Sequence, residues 1–195
     1  RSQHFPQTLA YRRKLAEHLG LTDVRDIHPA ADALETLDPN GELWRTSPDA
    51  CCDVRKVRPL AGALEGFDTR ITGRKQFQNR QRADLAPFEA VGGVLVVNPL
   101  AAWSPDQIEA WLRDHQLPRH LLVEQGFASI GCWPCTRAVQ AGEDARAGRW
   151  HGHEKTECGI MDEAWLRPVD VTASTLSPKL LYRPDPETRR VHHHH

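Results

Sequence analysis

Five cysteines are the residues of this 195-residue chain best suited to chemistry, and they fall into three groups. Cys51 and Cys52 are adjacent in P-D-A-C-C-D-V-R-K-V-R-P. Cys132 and Cys135 frame a C-W-P-C loop, and Cys158 stands alone in H-E-K-T-E-C-G. Adjacent cysteines do not pair readily with each other, because the bond forces a strained ring far from preferred disulfide geometry. Cys51 and Cys52 therefore face different partners or hold something between them. A C-x-x-C loop brings two thiolates to one point, and three readings of it remain open. A thioredoxin-like dithiol needs a strand before it and a helix after it, and leaves Cys51 and Cys52 unexplained. Zinc held by four cysteines ordinarily uses two C-x(2–4)-C knuckles, which an adjacent pair fits poorly. A [4Fe–4S] cube needs four thiolates at its corners, two from the adjacent pair at a helix end and two from the loop. On spacing, iron–sulfur ranks first, zinc second, and a dithiol or plain buried cysteines last.

Cys158 is the thiol left over. Its neighbours Lys155, Glu157 and Gly159 are not those of a buried, inert cysteine. A nearby cation stabilises the thiolate, and glycine leaves the backbone free to move, so a reactive thiol is expected. Between Arg55 and Arg82 lie eight basic residues (Arg55, Lys56, Arg58, Arg70, Arg74, Lys75, Arg80 and Arg82), opposed only by Glu65 and Asp68. Arg137, Arg146 and Arg149 follow the C-W-P-C loop. A charge run is ordinarily a solvated face. Here it flanks both cysteine pairs, which points to an anionic ligand, since guanidinium forks match phosphate and sulfate oxygens. Little aromatic interleaving supports base stacking, so no nucleic-acid partner is expected.

These residues need a scaffold. Pro6 to Leu19 predicts a helix, with Pro in the first turn and leucines at 9, 15 and 19. D-V-R-D-I-H-P predicts a short strand, and the turn-rich stretch after it leads into the helix that holds Cys51 and Cys52. F-D-T-R-I-T-G predicts a strand stopped by Gly73. The apolar run G-V-L-V-V-N-P predicts a strand buried on both faces. Ser104-Pro105-Asp106-Gln107 is a helix start with a Ser cap, running to about His115 and burying Ile108, Trp111 and Leu112. Strands alternating with helices indicate an α/β fold. The chain is 39% hydrophobic and 26% charged with net charge −1, so charge alone argues for neither a nucleic acid nor a membrane. No apolar run approaches the roughly 20 residues of a membrane helix, and no membrane partner is expected. Clustered thiols in odd number suit a reducing compartment, so a cytoplasmic location is expected. The Pro-rich stretch after Cys158 reads as an arm, and His192 to His195 as a tag.

The segments C-C-D-V-R-K-V-R-P-L, I-T-G-R-K-Q-F-Q-N-R-Q-R-A-D-L, N-P-L-A-A-W-S, E-Q-G-F-A-S-I-G-C-W-P-C-T-R, G-E-D-A-R-A-G-R-W and K-T-E-C-G-I follow one another in this order. From about Phe5 to Ile160 the chain resembles the assimilatory adenylyl-sulfate (APS) reductases, relatives of the phosphoadenylyl-sulfate (PAPS) reductases. The resemblance implies an adenine-nucleotide α-hydrolase-like α/β fold with a parallel sheet. It implies a nucleotide- and cluster-binding domain over residues 1–150 and a C-terminal arm over 151–191, ahead of the tag at 192–195. It further implies reduction of APS to sulfite and AMP by thioredoxin. Cys51, Cys52, Cys132 and Cys135 then correspond to ligands of a [4Fe–4S] cluster, and Cys158 to the nucleophile. Lys56 corresponds to a lysine linking cluster and substrate. Arg82, Arg146 and Arg149 correspond to arginines around the phosphosulfate, and Gly73 to a glycine near the nucleotide. Met161 stands where the family has His, and the family's Ser/Gly-rich phosphate loop is expected to be absent from this sequence. A PAPS reductase with a cluster, and a non-catalytic iron–sulfur or zinc nucleotide-binding module, stay open beside this reading, as does homo-oligomerisation.

Overall fold

The computed structural model describes residues 3–91 and 93–160. The expectations on Met161, on the Pro-rich arm beyond it and on the tag fall outside the described residues.

Helix α1 spans Pro6–His18 and opens on its proline, whose missing N–H is one the first turn does not need. It is fastened to a distant loop by a histidine. His120 Nδ1 accepts the Leu122 N–H at 3.2 Å, which leaves Nε2 to donate to Thr8 Oγ1 at 2.9 Å. Phe5 meets Phe127 edge to face at 5.6 Å. The expected strand over residues 23–29 does not form. Its charged side chains are engaged locally instead: Arg25 pairs with Asp23, and Arg12 of α1 with Asp26. Two short helices come next, α2 (Ala31–Leu37) and α3 (Leu43–Thr46).

A helical run then extends from Pro48 to Ala63 in three pieces: α4 (Pro48–Cys52), a π-helical turn (Asp53–Val57) and α5 (Arg58–Ala63). Pro59 is the reason for the break. Inside a regular helix its ring would clash with the Arg55 carbonyl and its missing N–H would leave that carbonyl without a donor. The wider turn relieves this, with the Arg58 N–H donating to the Asp53 carbonyl five residues back.

Among the described residues, three strands form one sheet in the order β1-β3-β2, with β1 at Thr69–Ile71, β2 at Phe88–Val91 and β3 at Val94–Val97. The α/β class is as expected, but the described sheet is mixed: β1 lies parallel to β3, and β2 antiparallel to it. Only two residues separate β2 from β3, so that pair must be a hairpin, and Gly93 supplies the positive φ of 81° its turn requires. Burial of β3 alternates, with Val96 fully buried and Leu95 43% exposed, so one face rather than both is covered. Ile71, Val97 and Phe88 stand in one row across the strands.

At the end of β3, Asn98 is fully buried and holds the sheet to the segments around it. Its Nδ2 donates to the Ala86 carbonyl at 2.9 Å and to Glu89 at 2.6 Å. Its Oδ1 accepts from the Thr72 hydroxyl and from Arg74 at 3.2 Å, and Arg74 closes the circuit on Glu89. Helix α6 (Pro105–Asp114) carries the expected capping box, Gln107 N–H to Ser104 Oγ at 3.2 Å and Ser104 N–H to Gln107 Oε1 at 2.8 Å. Its apolar stripe is less covered than expected: Ile108 and Leu112 are half-buried and Trp111 is 49% exposed. Trp111 packs on aromatic neighbours instead, edge on to Trp103 at 5.4 Å and stacked on His115 one turn later at 3.8 Å.

Asn98 is the strongest test of this frame. Asn98→Ala orphans buried donors and acceptors on both sides of the sheet and should cost roughly 2–3 kcal/mol, read as a lower urea midpoint at unchanged m-value. Ser104→Ala, which removes only an exposed cap, should cost about 1 kcal/mol.

Candidate active site

The helical run places the first cysteine pair. Cys51 and Cys52 end α4, both buried, and the π-turn after them carries Arg55 and Lys56. The second pair comes from a loop held at both ends. Cys132 bridges to His4 in an antiparallel pair, and Trp133 N–H donates to the Gln3 carbonyl at 2.8 Å. Behind it Thr136 bridges to Arg149, and Trp150 N–H donates to the Cys135 carbonyl at 2.9 Å. All five cysteines are free thiols; Cys132 is buried, Cys135 and Cys158 half-buried.

The four paired thiols share one electrostatic neighbourhood. Burial pushes the Cys51 thiol up to about 11; the Arg55 guanidinium pulls the other way, while Cys52 and Cys135 add to the rise. Burial also raises Cys52, against the opposing charges of Lys56 and Lys155. Cys135 is raised by burial and then by the charges of Cys132 and Cys52. Yet among the described residues no three His, Cys, Asp or Glu side chains converge where a single metal ion would sit. Lys56 stands at the centre. Burial alone would lower its pKa, but negative charge on Cys132, Cys52 and Cys158 outweighs burial and raises it. Arg55 is anchored outward by Asp38, whose carboxylate is itself buried and also accepts the Leu43 N–H at 2.9 Å.

A cavity of about 540 Å³ adjoins this centre through Cys158, whose charge bears on both Cys52 and Lys56. Gly73, Arg82, Arg146, Arg149 and Cys158 all line it. A Cβ on Gly73 would meet nothing within 4 Å, so the glycine leaves open space there. Arg70 and Arg74 add two more guanidinium groups, and Glu157 is the one acid among the described residues that line it. Arg82 forks onto both Glu157 oxygens at 2.8 Å, Asn79 donates at 3.0 Å, and Arg146 at 3.2 Å. Burial pushes the Glu157 carboxyl up, but the Arg82 hydrogen bonds, the Arg146 charge and Asn79 overcome it and hold it below the ordinary range. Asn79 also caps the short 3₁₀ turn Arg80–Arg82, accepting the Arg82 N–H, which fixes the root of that arginine. Arg149 lies over the buried Trp150 ring, 4.5 Å from its centre, and reaches Ser129 at 3.4 Å. It fits because residue 131 is glycine: a Cβ there would overlap the guanidinium.

Apart from Lys56, every site residue expected from the sequence falls at one of two adjoining places, the paired cysteines or the cavity. Lys56 belongs to neither alone; it lines a second groove of about 600 Å³ with Arg12, Arg13, Arg55 and Cys132, while its ammonium responds to Cys158. The basic run does not act as one patch. Arg55 and Arg58 are engaged by Asp38 and Asp53, away from the cavity. Lys155, expected beside the Cys158 thiol, pairs with Asp49 and bears on Cys52. Sequence reasoning passed over Glu157 as a functional residue, although its place beside Cys158 in E-C-G was a signal. It also passed over Asn79 and Gly131, whose partners Glu157 and Arg149 are remote in sequence, and over Trp150, which carries Arg149 beside it.

The model of the phosphoadenosine phosphosulfate reductase domain matches residues 1–138 of this chain. The chain belongs to that family. The adenosine 5'-phosphosulfate reductase of Mesorhizobium japonicum is 51% identical over 158 residues, which are 81% of this chain and 62% of the relative. That of Deinococcus radiodurans is 45% identical over 159 residues, 80% of this chain and 62% of the relative. The chain therefore spans about 62% of the length of these curated relatives. The crystal structure of a PAPS reductase from Candida auris, in a phosphate complex, superposes with a TM-score of 0.54 at 26% identity, covering 69% of this chain and 67% of that one. No helix among the described residues of this family member is long and apolar enough to cross a membrane.

Gly131→Ala isolates the contribution of Arg149. The arginine tip can swing aside, so stability should change by no more than about 0.5 kcal/mol, while affinity for inorganic phosphate, measured by titration calorimetry, should fall about tenfold. Gly148→Ala, where a Cβ would overlap the Arg137 carbonyl, should instead lower the thermal midpoint.

Proposed function

We propose that this chain carries the reaction centre of an adenylyl-sulfate reductase of assimilatory sulfate reduction in the cytoplasm. It reduces APS to sulfite and AMP, with thioredoxin as electron donor, through an S-sulfonate on Cys158. The observation that carries the reading is the gathering of Cys158, Gly73, Arg82, Arg146 and Arg149 in one cavity, joined through Lys56 to the four-thiol centre. The relatives named for APS at 51% and 45% identity support APS over PAPS as substrate.

Cys51, Cys52, Cys132 and Cys135 would hold a [4Fe–4S] cluster. The donor set fits: four free thiols, three of them buried, in surroundings that disfavour thiolate charge unless a cation compensates it. A zinc site of four cysteines ordinarily uses two C-x(2–4)-C knuckles, and the adjacent pair Cys51 and Cys52 departs from that pattern. When bound, the cluster serves as a structural and electrostatic support for Lys56 and the neighbouring arginines.

The Cys158 thiolate attacks the APS sulfur, forming an S–S bond while the S–O bond to AMP breaks, and the electron pair leaves on the AMP phosphate. Lys56, Arg82, Arg146 and Arg149 neutralise the charge that builds on that phosphate. A thioredoxin thiolate then attacks Cys158 Sγ, expelling sulfite and leaving a mixed disulfide. The second thioredoxin thiol resolves it, returning the Cys158 thiol and oxidised thioredoxin. Cys158 must therefore move between a closed and an exposed position.

Two measurements check this. Protein purified anaerobically should contain about four iron and four acid-labile sulfide per chain; stoichiometric zinc without sulfide would move the reading to a zinc module. Mixed with APS and no thioredoxin, it should gain one SO₃ mapped to Cys158 by peptide mass spectrometry. Cys158→Ser should keep its iron and gain nothing, while Cys51→Ser should lose the cluster and with it stability. An adduct on Cys132 or Cys135 would overturn the ligand assignment, and a higher kcat/KM for PAPS than for APS would overturn the substrate.

A further inference from the structure

Arg74 lines the cavity, but its charge is answered from outside it. Glu89, which is not among the described residues of the lining, stands on the edge strand β2 and forms an ion pair with the Arg74 guanidinium. Arg82 and Arg146 differ, because their carboxylate, Glu157, lines the cavity with them. We infer that Glu89 sets the charge selectivity of the cavity: by holding Arg74 together with Asn98, it withholds the cation that a further phosphate on the ribose would need, and so favours APS over PAPS. The inference rests on the cavity being the nucleotide site proposed above.

The held state of Arg74 is built into the end of the sheet. Its Nη2 donates to Glu89 and, at 3.2 Å, to Asn98 Oδ1. Asn98 is fully buried, and its Nδ2 donates to Glu89 at 2.6 Å, so one amide orders both members of the pair. The Thr72 hydroxyl, also in the cavity lining, donates to the same Asn98 oxygen. Drawing Arg74 toward a ligand takes a donor from a buried acceptor and leaves the Glu89 carboxylate behind it as a like charge to the ligand. The Glu89 charge also bears on Arg70, which lines the cavity with Arg74, so it lowers the positive potential at both. The proposed reaction places the phosphosulfate beside Cys158, with Arg82, Arg146 and Arg149, and leaves Arg70 and Arg74 for the nucleoside. PAPS differs from APS by one further phosphate, on the ribose. A site can reject it by leaving that charge unanswered rather than by adding contacts to the preferred ligand. Glu89 is in this sense a positioning residue, acting through Arg74 without touching the nucleotide.

The test compares AMP with adenosine 3',5'-bisphosphate, the nucleotides that APS and PAPS leave behind, by titration calorimetry on the anaerobically purified holoprotein. The variants are Glu89→Gln, Glu89→Ala and Glu89→Asp, with Glu89→Gln also combined with Arg74→Gln. Wild type should bind AMP more tightly than the bisphosphate. Both neutral variants should shift the ratio of the two affinities about tenfold toward the bisphosphate, and kcat/KM for PAPS relative to APS should move the same way. Glu89→Asp keeps the charge and should keep the wild-type ratio. The double variant should return to that ratio, since it has no freed arginine. The Glu89 side chain is 29% exposed on an edge strand, so the neutral variants should fold, which their thermal midpoints check. A carboxylate that only braces the sheet would change both affinities by the same factor, and an unmoved ratio overturns the inference. So does a double variant that keeps the gain, or a wild type that prefers the bisphosphate. If wild type binds AMP and forms the S-sulfonate yet the ratio stays fixed in the neutral variants, the role of Glu89 falls and the reductase reading stands. If wild type binds neither nucleotide, both fall together.

Discussion

Guanidinium groups gathered in one cavity repel one another, and each loses hydration as the walls close round it. Arg70, Arg74, Arg82, Arg146 and Arg149 are in that position. Burial lowers the pKa of Arg70 and of Arg146, and neighbouring arginines lower both further, while a carboxylate opposes the trend in each case. The surrounding structure answers this one constraint. Glu89 takes Arg74 into the Asn98 circuit that ties the sheet together. Glu157 takes Arg82 and Arg146, and a π-face takes Arg149. Remove the excess of positive charge and these long-range polar contacts would have no reason to exist.

The thiol centre is the mirror case, a place where negative charge is unwelcome. Cys51, Cys52 and Cys135 are raised by burial and by charge on neighbouring thiols, so the region favours neutral sulfur or a compensating cation. Lys56 lies between a region that resists anions and one crowded with cations, and responds to both: thiolate charge raises its pKa and Arg149 lowers it. Its position is set by backbone. The π-turn forced by Pro59 rotates residues 53–57 relative to a regular helix, and Lys56 lies within that turn. A proline three residues downstream thus decides where the lysine points.

What could be read in the sequence was what is local. The capping box at Ser104, the strand ends at residues 71–73 and 94–97, and the cysteine spacings depend on neighbours a few residues away, and they stand in the structure. The resemblance then named Arg82, Arg146, Arg149, Gly73 and Cys158, which do share a cavity. What escaped depends on contacts across the chain. The partner of Glu157 is Arg82, 75 residues away, and that of Asp38 is Arg55, 17 residues away. The stretch D-V-R-D-I-H-P has strand-like alternation but no strand beside it, and its charges found partners on α1 and within the loop. Trp111 had the spacing of a core residue, yet aromatic neighbours close by in the chain satisfied it before the core could.

Trp150 sits where the two regions meet. It is 2% exposed and held at a φ of 48°, an uncommon conformation for a bulky residue, so its neighbours fix the ring firmly. Arg149, Arg146 and Lys155 lie over the indole at 4.5, 5.8 and 5.6 Å, and its side chain opposes the rise of the Cys52 thiol's pKa. An indole's emission shifts with the electric field across it. Any anion that draws the arginines away, and any change in charge at Cys52, alters that field. Trp111 and Trp133 are about half exposed and Trp44 and Trp103 half-buried, so Trp150 is the buried indole among the described residues. One buried indole thus lies within the electric field of both regions, beside the arginines of the cavity and the thiol of Cys52.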